Sequence, residues 1–420
     1  MKKRILLAVS LVLALSLMSS CAYLPLMGIE LSGMNPSPTA VPMPGANGGT
    51  VISGDTVTIS RAEYERYQQL DGVLEMMDLV DMYFYEEVDT DLMIEGAMQG
   101  VLSATGDPYT FYYNPEAYAE MWEDDEGEYA GVGIQISSSY VTGICTISRV
   151  FEGGPAEKAG VHKGDILYMV DDMYVTAGNV DDAVEIMRGT PGTDVQVTFL
   201  RDGEEITFTL TRATITVNRV SSMMLTDEIG LICLYEFAGD CSTKFIEAAD
   251  ALIAQGAKGI IIDLRDNPGG WVDDAETIGD YFLDAGVLCY LEYNDGSREY
   301  YRTKKGGHDV EIVILVNENS ASSSEILTGA LKDRAGATVV GVQSYGKGIV
   351  QSVIPVGSDA GMQLTVAQYY TPNGNAVHKI GITPDVVCEL PQGDNGMYEF
   401  GDLSDPQLAR ALEVMEEKLK

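Results

Sequence analysis

The chain has 420 residues, of which 45% are hydrophobic and 21% are charged, a composition that is typical of globular proteins and too apolar for a disordered chain. This length predicts about two or three domains, each able to bury a core of its own. The formal net charge of -38 argues against nucleic acid as a partner, because binding phosphate requires a basic surface, and against a broad electrostatic grip on anionic lipid.

The first residues have the pattern of an export signal. Three basic residues at positions 2–4 precede an apolar run from Ile5 to Met18, which is too short to span a bilayer comfortably. The next residues, up to Cys21, resemble a bacterial lipobox. We therefore predict a lipoprotein-type signal peptide over 1–21, with Cys21 lipidated and anchoring an extracytoplasmic protein to the outer face of the bacterial cell membrane. The alternative is ordinary cleavage with Cys21 as a bystander.

The remaining cysteines and the histidines do not predict a metal site, a cofactor or a disulfide framework. The other five cysteines cannot all pair, and none forms a CxxC motif. The three histidines are scattered, and no HExxH motif occurs.

A tether and two helical regions are predicted outside the central part of the chain. Residues 22–60 are rich in Pro, Gly, Ser and Thr and are predicted to form a flexible tether. Residues 61–125 show helical spacing, with one helix from Arg61 to Tyr85 and a second one capped by Asp91. Residues 391–420 contain an amphipathic helix, which is predicted to pack on the N-terminal helices or on a second subunit as a homodimer contact.

Residues 126–213 read as short strands separated by glycine turns, with a helix from Val180 to Met187 and a hairpin around Asp202-Gly203. The stretches GGPAEKAGVHKGDIL and AVEIMRGTPGTDVQVTFLRDG follow a glycine-rich loop, and together they resemble a PDZ domain. That resemblance implies recognition of free, apolar C-termini of proteins or peptides by strand addition. The residues assigned to the substrate carboxylate are the loop amides of Gly131, Val132 and Gly133, and Arg188 near the end of the helix.

From residue 214 to residue 390 strands and helices alternate, which predicts an α/β core. Continuous apolar runs such as Gly259–Leu264 and Val310–Val316 are typical of strands buried on both faces. Active sites in open α/β sheets lie beyond the carboxyl ends of such strands. No GxSxG motif occurs, so an α/β-hydrolase triad is not predicted.

Three polar stretches follow these strands. Ser322 lies in NENSASSSE and enters a helix, where exposed N–H groups can hold an oxyanion, although Ser322-x-x-Glu325 also reads as a capping box. Lys347 lies in GKGIVQ, where desolvation can make a lysine a general base and Gln351 can hold the amine, although a solvated loop lysine fits as well. Gly269 and Gly270 end DLRDNPGG and offer backbone N–H groups, or form a plain loop.

Taken together, the three stretches resemble the C-terminal processing peptidases, also called tail-specific proteases. Further support comes from ATGDPYT and YYTPNGNAVHKIGITPDV, and from the order of helices, PDZ domain and motifs over Arg61–Leu390. This resemblance implies a mixed α and β multidomain fold: an N-terminal helical region, an inserted PDZ domain and an α/β crotonase/ClpP-like serine peptidase core.

The family assigns roles to individual residues of this sequence. The nucleophile matches Ser322, and the base matches Lys347, which lies 25 positions later. Gln351 matches the supporting residue. The oxyanion hole matches the N–H of Ser323, where the family usually has Ala, together with Gly269 or Gly270.

The sequence therefore predicts a serine endopeptidase that cleaves extracytoplasmic proteins through an acyl-enzyme, with no cofactor. Two alternatives stay open at this point. One is a PDZ scaffold with an inactive peptidase core, and the other is an acyl-CoA enzyme on a crotonase-like core. The dyad and Gln351 disfavour the first, and the dyad, the PDZ domain and the export signal disfavour the second.

Overall fold

The structure is a computed structural model that describes residues 51–53, 56–139, 142–304, 307–392, 396 and 398–420. The predicted signal peptide with Cys21, and most of the predicted tether, lie outside these residues. The end of the predicted tether contains a short antiparallel pair of strands, β1 (Val51–Ser53) and β2 (Thr56–Thr58). Their β-branched residues favour an extended backbone.

The N-terminal helices are α1 (Arg61–Gln68), α2 (Asp71–Tyr83) and α3 (Thr90–Ser103). The prediction of one helix over 61–85 was wrong, because the chain turns between α1 and α2. The predicted cap at Asp91 was also wrong. Asp89 has the extended conformation of a cap, and its carboxylate accepts a hydrogen bond from the N–H of Asp91 at 2.9 Å.

The described chain divides into two compact units. One contains the described residues before Glu120 together with Val353–Leu364. Within it, β3 (Phe111–Tyr113) pairs with residues Gly361–Gln363. The other unit contains Glu120–Ser352 and Thr365–Lys420, and includes most of α4 (Pro115–Glu126).

The region predicted as a PDZ domain forms an antiparallel sheet with two short helices. The predicted helix, now α6, is confirmed, and so is the predicted hairpin. The sheet order is β10-β9-β7-β6-β5, so β5 is an end strand, while β4 and β11 pair separately. The elements are β4 (Glu128–Gly131), β5 (Ile134–Ser139), β6 (Ile144–Val150), α5 (Pro155–Ala159), β7 (Ile166–Val170), β8 (Met173–Tyr174), α6 (Val180–Met187), β9 (Asp194–Arg201), β10 (Glu204–Thr211) and β11 (Ala213–Thr216).

The following region contains two further sheets. The first has the order β12-β13-β14-β17-β18-β21 and is parallel except for β12. The second has the order β16-β15-β20-β19 and was not predicted. The elements are β12 (Val220–Met224), β13 (Ile229–Leu234), α7 (Cys241–Ala254), β14 (Gly259–Asp263), α8 (Val272–Phe282), β15 (Gly286–Tyr293), β16 (Arg298–Thr303), β17 (Glu311–Val316), α9 (Ser323–Ala335), β18 (Thr338–Gly341), β19 (Ile349–Val356), β20 (Ala360–Tyr370), β21 (Val386–Val387) and α10 (Pro406–Lys418).

The parallel sheet is buried on both faces, as its apolar runs predicted. Ile260 and Ile262 of β14 belong to the cluster that includes α7, α8 and α9, whereas Ile261 belongs to the cluster that includes α10. This alternation follows from the two-residue period of a strand. The prediction that the C-terminal helix packs on the N-terminal helices or on a second subunit was wrong, because the apolar face of α10 is buried against this sheet. The layers fix the carboxyl ends of β14, β17 and β18 at one edge, where the polar stretches follow.

Candidate active site

Ser322 occupies the N-cap position of α9 in a strained backbone conformation. Its φ of 54° and ψ of -117° lie in a region that residues other than glycine rarely adopt. Such strain persists where the surroundings hold it, and it is often found at functional sites. The side chain is fully buried.

The hydrogen bonds of the neighbouring serines distinguish Ser322 from them. Within the part of the chain that the structure describes, Ser322 Oγ donates no hydrogen bond. The predicted capping box with Glu325 is present at the start of α9, and in it Ser322 Oγ only faces the N–H of Glu325 as an acceptor. The other three hydroxyls each donate to a backbone carbonyl of the loop after β14: Ser320 to Leu264 at 2.7 Å, Ser323 to Gly270 at 2.8 Å and Ser324 to Asn267 at 3.0 Å. Three serines therefore brace the loop, and Ser322 Oγ is not engaged in it.

The predicted glycine turn lies directly against Ser322. A Cβ placed on Gly269 would be 2.7 Å from Ser322 Cβ and 2.9 Å from the backbone nitrogen of Ser323, so only glycine fits. The N–H of Gly269 already donates to Asn267 Oδ1 at 2.8 Å. The N–H of Ser323 belongs to the first residue of α9, where an N–H has no partner inside the helix.

Glu325 connects the serine loop with the lysine loop. Its Oε2 accepts from the N–H of Ser322 at 3.0 Å and from the N–H of Lys347 at 2.9 Å, which brings the two backbone nitrogens to within about 6 Å of each other. Its Oε1 accepts from Ser344 Oγ at 2.5 Å and from the N–H of Gly346 at 2.8 Å. Lys347 is 4% exposed, so the solvated loop lysine is not what the structure shows.

The pKa of Glu325 reflects this setting. Burial raises the pKa of its carboxyl above the usual value, because low dielectric disfavours the charged form. The hydrogen bonds from Ser344, Gly346, Ser322 and Lys347 oppose that shift. A buried carboxyl surrounded by donors is costly to replace, since each donor would lose its acceptor.

Gln351 and Tyr369 complete the buried shell. Gln351 is fully buried, and its Nε2 donates to Thr365 Oγ1 at 3.1 Å. Its Oε1 has no hydrogen-bond partner among the described residues. Tyr369 donates its hydroxyl to the carbonyl of Ser322 at 3.1 Å, and its N–H donates to the carbonyl of Gly348 at 3.1 Å. Tyr369 therefore holds the loops on either side of the site.

The predicted carboxylate loop of the PDZ region leads into the end strand β5. Gly131, Val132 and Gly133 are buried, and the carbonyls of Val132 and Gly133 accept from the N–H groups of Ala156 and Phe151, both at 3.0 Å. Arg188 is half-buried, with its guanidinium carbon 5.5 Å from the ring centroid of Tyr129. The loop and Arg188 therefore both belong to residues 126–213, and Arg188 contacts Tyr129 of β4, the strand that leads into the loop.

The described residues also bear on metal binding and on membrane crossing. Among the described residues, no group of three or more His, Cys, Asp or Glu side chains could hold a metal ion. No helix in the described ranges has both the length and the apolar character needed to cross a membrane.

Comparison with known proteins identifies the family. A family model described as peptidase family S41 matches residues 228–388, a PDZ domain model matches 146–201, and a model described as the activating protease CtpB N-terminal domain matches 49–117. The carboxyl-terminal-processing protease of Synechocystis sp. is 33% identical over 76% of this chain and 76% of its own. The chain belongs to the C-terminal processing peptidases of family S41.

Further relatives are also C-terminal processing proteases. The carboxy-terminal processing protease CtpA of Bacillus subtilis is 34% identical over 73% of this chain and 66% of its own. A solved structure of a photosystem II D1 C-terminal processing protease has a TM-score of 0.56 and 26% identity, and covers 80% of this chain and 95% of that one. This C-terminal processing peptidase is a serine-type peptidase, with an S41 core, an inserted PDZ domain and an N-terminal region.

Some residues at the peptidase site were missed by sequence reasoning. Glu325 was noticed only as a capping residue, and nothing predicted its bonds to Gly346 and Lys347, which are more than twenty positions away. Tyr369 and Asn267 were not singled out at all. A signal for Tyr369 existed in YYTPNGN, but a tyrosine in a strand is more often a packing residue.

Proposed function

We propose that this S41 peptidase hydrolyses peptide bonds with a Ser322–Lys347 dyad. The observation that carries the proposal is that one carboxylate oxygen, Glu325 Oε2, accepts from the backbone N–H groups of both residues. The only unengaged hydroxyl among the four serines, Ser322 Oγ, supports the choice of nucleophile.

The proposed reaction has two halves. Ser322 Oγ attacks the scissile carbonyl while Lys347 Nζ takes the hydroxyl proton, which it then gives to the leaving amine as the acyl-enzyme forms. A water then attacks the ester carbonyl while Lys347 takes its proton, and as the bond to Ser322 Oγ breaks Lys347 gives that proton to the serine oxygen, so the product acid leaves and the enzyme is restored. Lys347 acts as a base only when its amine is neutral, and its burial favours that form. Gln351 is proposed to hold the neutral amine without adding charge.

The proposed oxyanion hole joins Ser323 and the glycine turn. The N–H of Ser323 points from the start of α9, where the helix dipole favours negative charge. We assign the second donor to Gly270 rather than to Gly269, because the N–H of Gly269 is already used by Asn267. The isolated bridge between Phe237 and Gly270 uses the carbonyl of Gly269 and the N–H of Trp271, and so does not require the N–H of Gly270.

The PDZ region is proposed to select proteins with free, apolar C-termini. The loop from Gly131 to Gly133 precedes β5, whose place at the end of the sheet suits the addition of a peptide strand. Arg188 would attract the carboxylate. The domain boundaries are proposed as predicted from the sequence: signal peptide 1–21, tether 22–60, N-terminal helical region 61–125, PDZ domain 126–213, peptidase core 214–390 and C-terminal helix 391–420.

The location and the assembly are also proposals. Cys21 is proposed to carry a lipid that anchors the enzyme outside the cytoplasm, where its substrates would be. The large apolar side chains exposed on α2 support a homodimer through this helical region, since no side chain of α2 is buried. A sedimentation mass equal to one chain would remove the homodimer.

The test of this function is to trap the acyl-enzyme. The enzyme is mixed with a peptide substrate, quenched in acid and digested, and the fragment containing Ser322 is weighed. The expected result is an added acyl mass on Ser322, no added mass in Ser322→Ala, and casein cleavage that chelators do not reduce. An acyl mass on another serine, or cleavage by Ser322→Ala, would overturn the proposal.

A further inference from the structure

The glycine turn that faces Ser322 is attached to a short segment that follows β13. The N–H of Phe237 donates to the carbonyl of Gly269 at 2.8 Å, and the carbonyl of Phe237 accepts from the N–H of Trp271 at 2.8 Å. These two bonds clamp Gly270, and a Cβ there would lie 1.9 Å from the carbonyl oxygen of Phe237. The position of Phe237 therefore sets the position of the turn.

A PDZ residue holds the same segment from the other side. Arg149 lies on β6, and its guanidinium carbon is 3.5 Å from the ring centroid of Tyr235, two residues before Phe237. Phe151, also in the PDZ region, flanks the guanidinium at 4.8 Å. Arg149 also donates to the backbone carbonyl of Asn218, in the chain that connects β11 with β12. A desolvated cation on an aromatic ring is a strong contact of this kind.

The far side of the turn has an aromatic contact of its own. Trp271 follows Gly270 directly, and it stacks on Trp122 of α4 with ring centroids 6.2 Å apart and an interplanar angle of 17°. Helix α4 leads into β4, the first strand before the PDZ sheet. One of the two contacts that flank the glycine turn thus reaches a strand of the PDZ sheet, and the other reaches the helix that leads into the PDZ region.

We propose that Arg149 and Tyr235 are positioning residues for hydrolysis: they transmit the docked position of the PDZ domain, through Phe237, to the oxyanion donor at Gly270. The inference rests on the proposed function, because it needs an oxyanion hole at this turn. It predicts that the docked PDZ domain supports catalysis, and that loosening it lowers turnover without weakening substrate binding.

The test uses four variants of the whole chain. Arg149→Met removes the charge and keeps the aliphatic stem, and Tyr235→Leu removes the ring. Tyr235→Phe keeps the ring and serves as the conservative rescue. Arg201→Met is the matched control, because Arg201 pairs with Asp165 at 2.6 Å inside the PDZ region and contacts no residue of the 235–237 segment in the hydrogen bonds and ion pairs that the structure describes.

The kinetic readout separates positioning from binding. Arg149→Met and Tyr235→Leu are expected to lower kcat about ten-fold with KM within about two-fold, less than the 100-fold or more that follows when an oxyanion donor is removed outright. A peptide boronate, whose tetrahedral adduct needs the oxyanion hole, should bind these variants about ten-fold more weakly. Tyr235→Phe and Arg201→Met should stay close to the parent enzyme.

A spectroscopic readout follows the turn itself. The chain has two tryptophans, Trp122 and Trp271, so Trp122→Phe leaves Trp271 as the sole reporter beside Gly270. In that background, Arg149→Met should shift the emission of Trp271, and Arg201→Met should not. If Arg149 served only the folding of the PDZ domain, the emission of Trp271 would shift in both variants alike, and the inference would be wrong.

The outcomes distinguish this inference from the proposed function. If the parent enzyme forms the acyl-enzyme on Ser322 while Arg149→Met and Tyr235→Leu keep the parental kcat, the inference is wrong and the proposed function stands. If the two variants raise KM and leave the boronate affinity unchanged, they act on substrate binding, and the inference is again wrong. If no acyl-enzyme forms on Ser322 in the parent, the proposed function itself fails.

Discussion

Four serines near the start of α9 have the same side chain and different surroundings. Ser320, Ser323 and Ser324 each donate to a carbonyl of the loop after β14, whereas Ser322 Oγ donates no hydrogen bond within the described chain. A hydroxyl that already donates to a carbonyl is poorly placed to give its proton to a lysine. The geometry, more than the sequence motif, separates the proposed nucleophile from its neighbours.

This separation predicts different results for the alanine variants. Ser322→Ala should lose cleavage and keep its fold, since its hydroxyl donates no hydrogen bond and the N–H of Glu325 still donates to the carbonyl of Ser322 at 2.8 Å. Ser320→Ala, Ser323→Ala and Ser324→Ala should retain cleavage, and each should lower the free energy of unfolding by about 1 kcal/mol, because one buried hydrogen bond is removed. Peptide hydrolysis and urea denaturation measure the two effects. Loss of cleavage in Ser324→Ala alone would show that another serine is the nucleophile.

The lysine should be irreplaceable by another cation. Lys347→Arg should be inactive, because a guanidinium stays protonated at working pH and cannot accept the serine proton. In the parent enzyme, activity should rise with pH as the amine loses its proton, and His162→Gln, His308→Gln and His378→Gln should leave the profile unchanged. The pH dependence of kcat/KM gives the measurement. An active Lys347→Arg enzyme would remove Lys347 as the base.

At the scale of elements, Glu325 joins the start of α9 to the loop before β19. Glu325→Gln places an NH2 group against two donors, so it loses two hydrogen bonds and should lower the free energy of unfolding by about 3 kcal/mol, with a large loss of activity. Glu318→Gln is the matched control, because Glu318 is exposed in the same loop. Equal stability of the two variants would contradict the bridging role.

The raised pKa of Glu325 also predicts how acid changes the free energy of unfolding. Burial gives Glu325 a raised pKa, so its carboxyl takes up a proton at a higher pH than an exposed carboxyl would. The folded state therefore binds that proton more tightly than the unfolded chain, and protonation does not by itself favour unfolding. The contribution of Glu325 to the free energy of unfolding should therefore rise as the pH falls through its raised pKa, and urea denaturation at a series of pH values measures this.

The PDZ elements carry a prediction of their own. If the amides from Gly131 to Gly133 and the side chain of Arg188 read a carboxylate, then amidating the C-terminus of a good peptide substrate should lower its kcat/KM about ten-fold or more. Arg188→Gln should lower the turnover of the free acid and leave that of the amide nearly unchanged. Equal turnover of acid and amide by the parent enzyme would remove the carboxylate-reading role.

The elements differ in how well the sequence predicted them. Buried parallel strands such as β14 and β17 were predictable, because burial on both faces produces continuous apolar runs. The sheet from β15 to β20 was not, since its strands mix apolar and polar residues over half-buried surfaces, as REYYRT of β16 shows. The residues of the motifs could be singled out from the sequence. Phe237 could not, because it acts through backbone contacts that leave no trace in residue type, and Tyr369 could not, because a tyrosine in a strand is more often a packing residue.

At the scale of the whole molecule, the proposed attachment to the membrane depends on one residue outside the described chain, Cys21. Cys21→Ala should move the protein from the membrane fraction to the soluble fraction, because the net charge of -38 provides no attraction to anionic lipid. Detergent phase separation of cells that express each form measures this. A Cys21→Ala protein that stays in the membrane fraction would show another mode of attachment.

The position of Tyr369 has a consequence for synthesis. Tyr369 follows Ser322 by 47 positions, its hydroxyl holds the carbonyl of Ser322, and its N–H holds the lysine loop at Gly348. The ribosome therefore completes both residues of the proposed dyad before it makes the strand that secures them. A chain that is interrupted anywhere before β20 carries Ser322 and Lys347 without the contacts that align them, so incomplete products of this protease should be harmless to the cell that makes them.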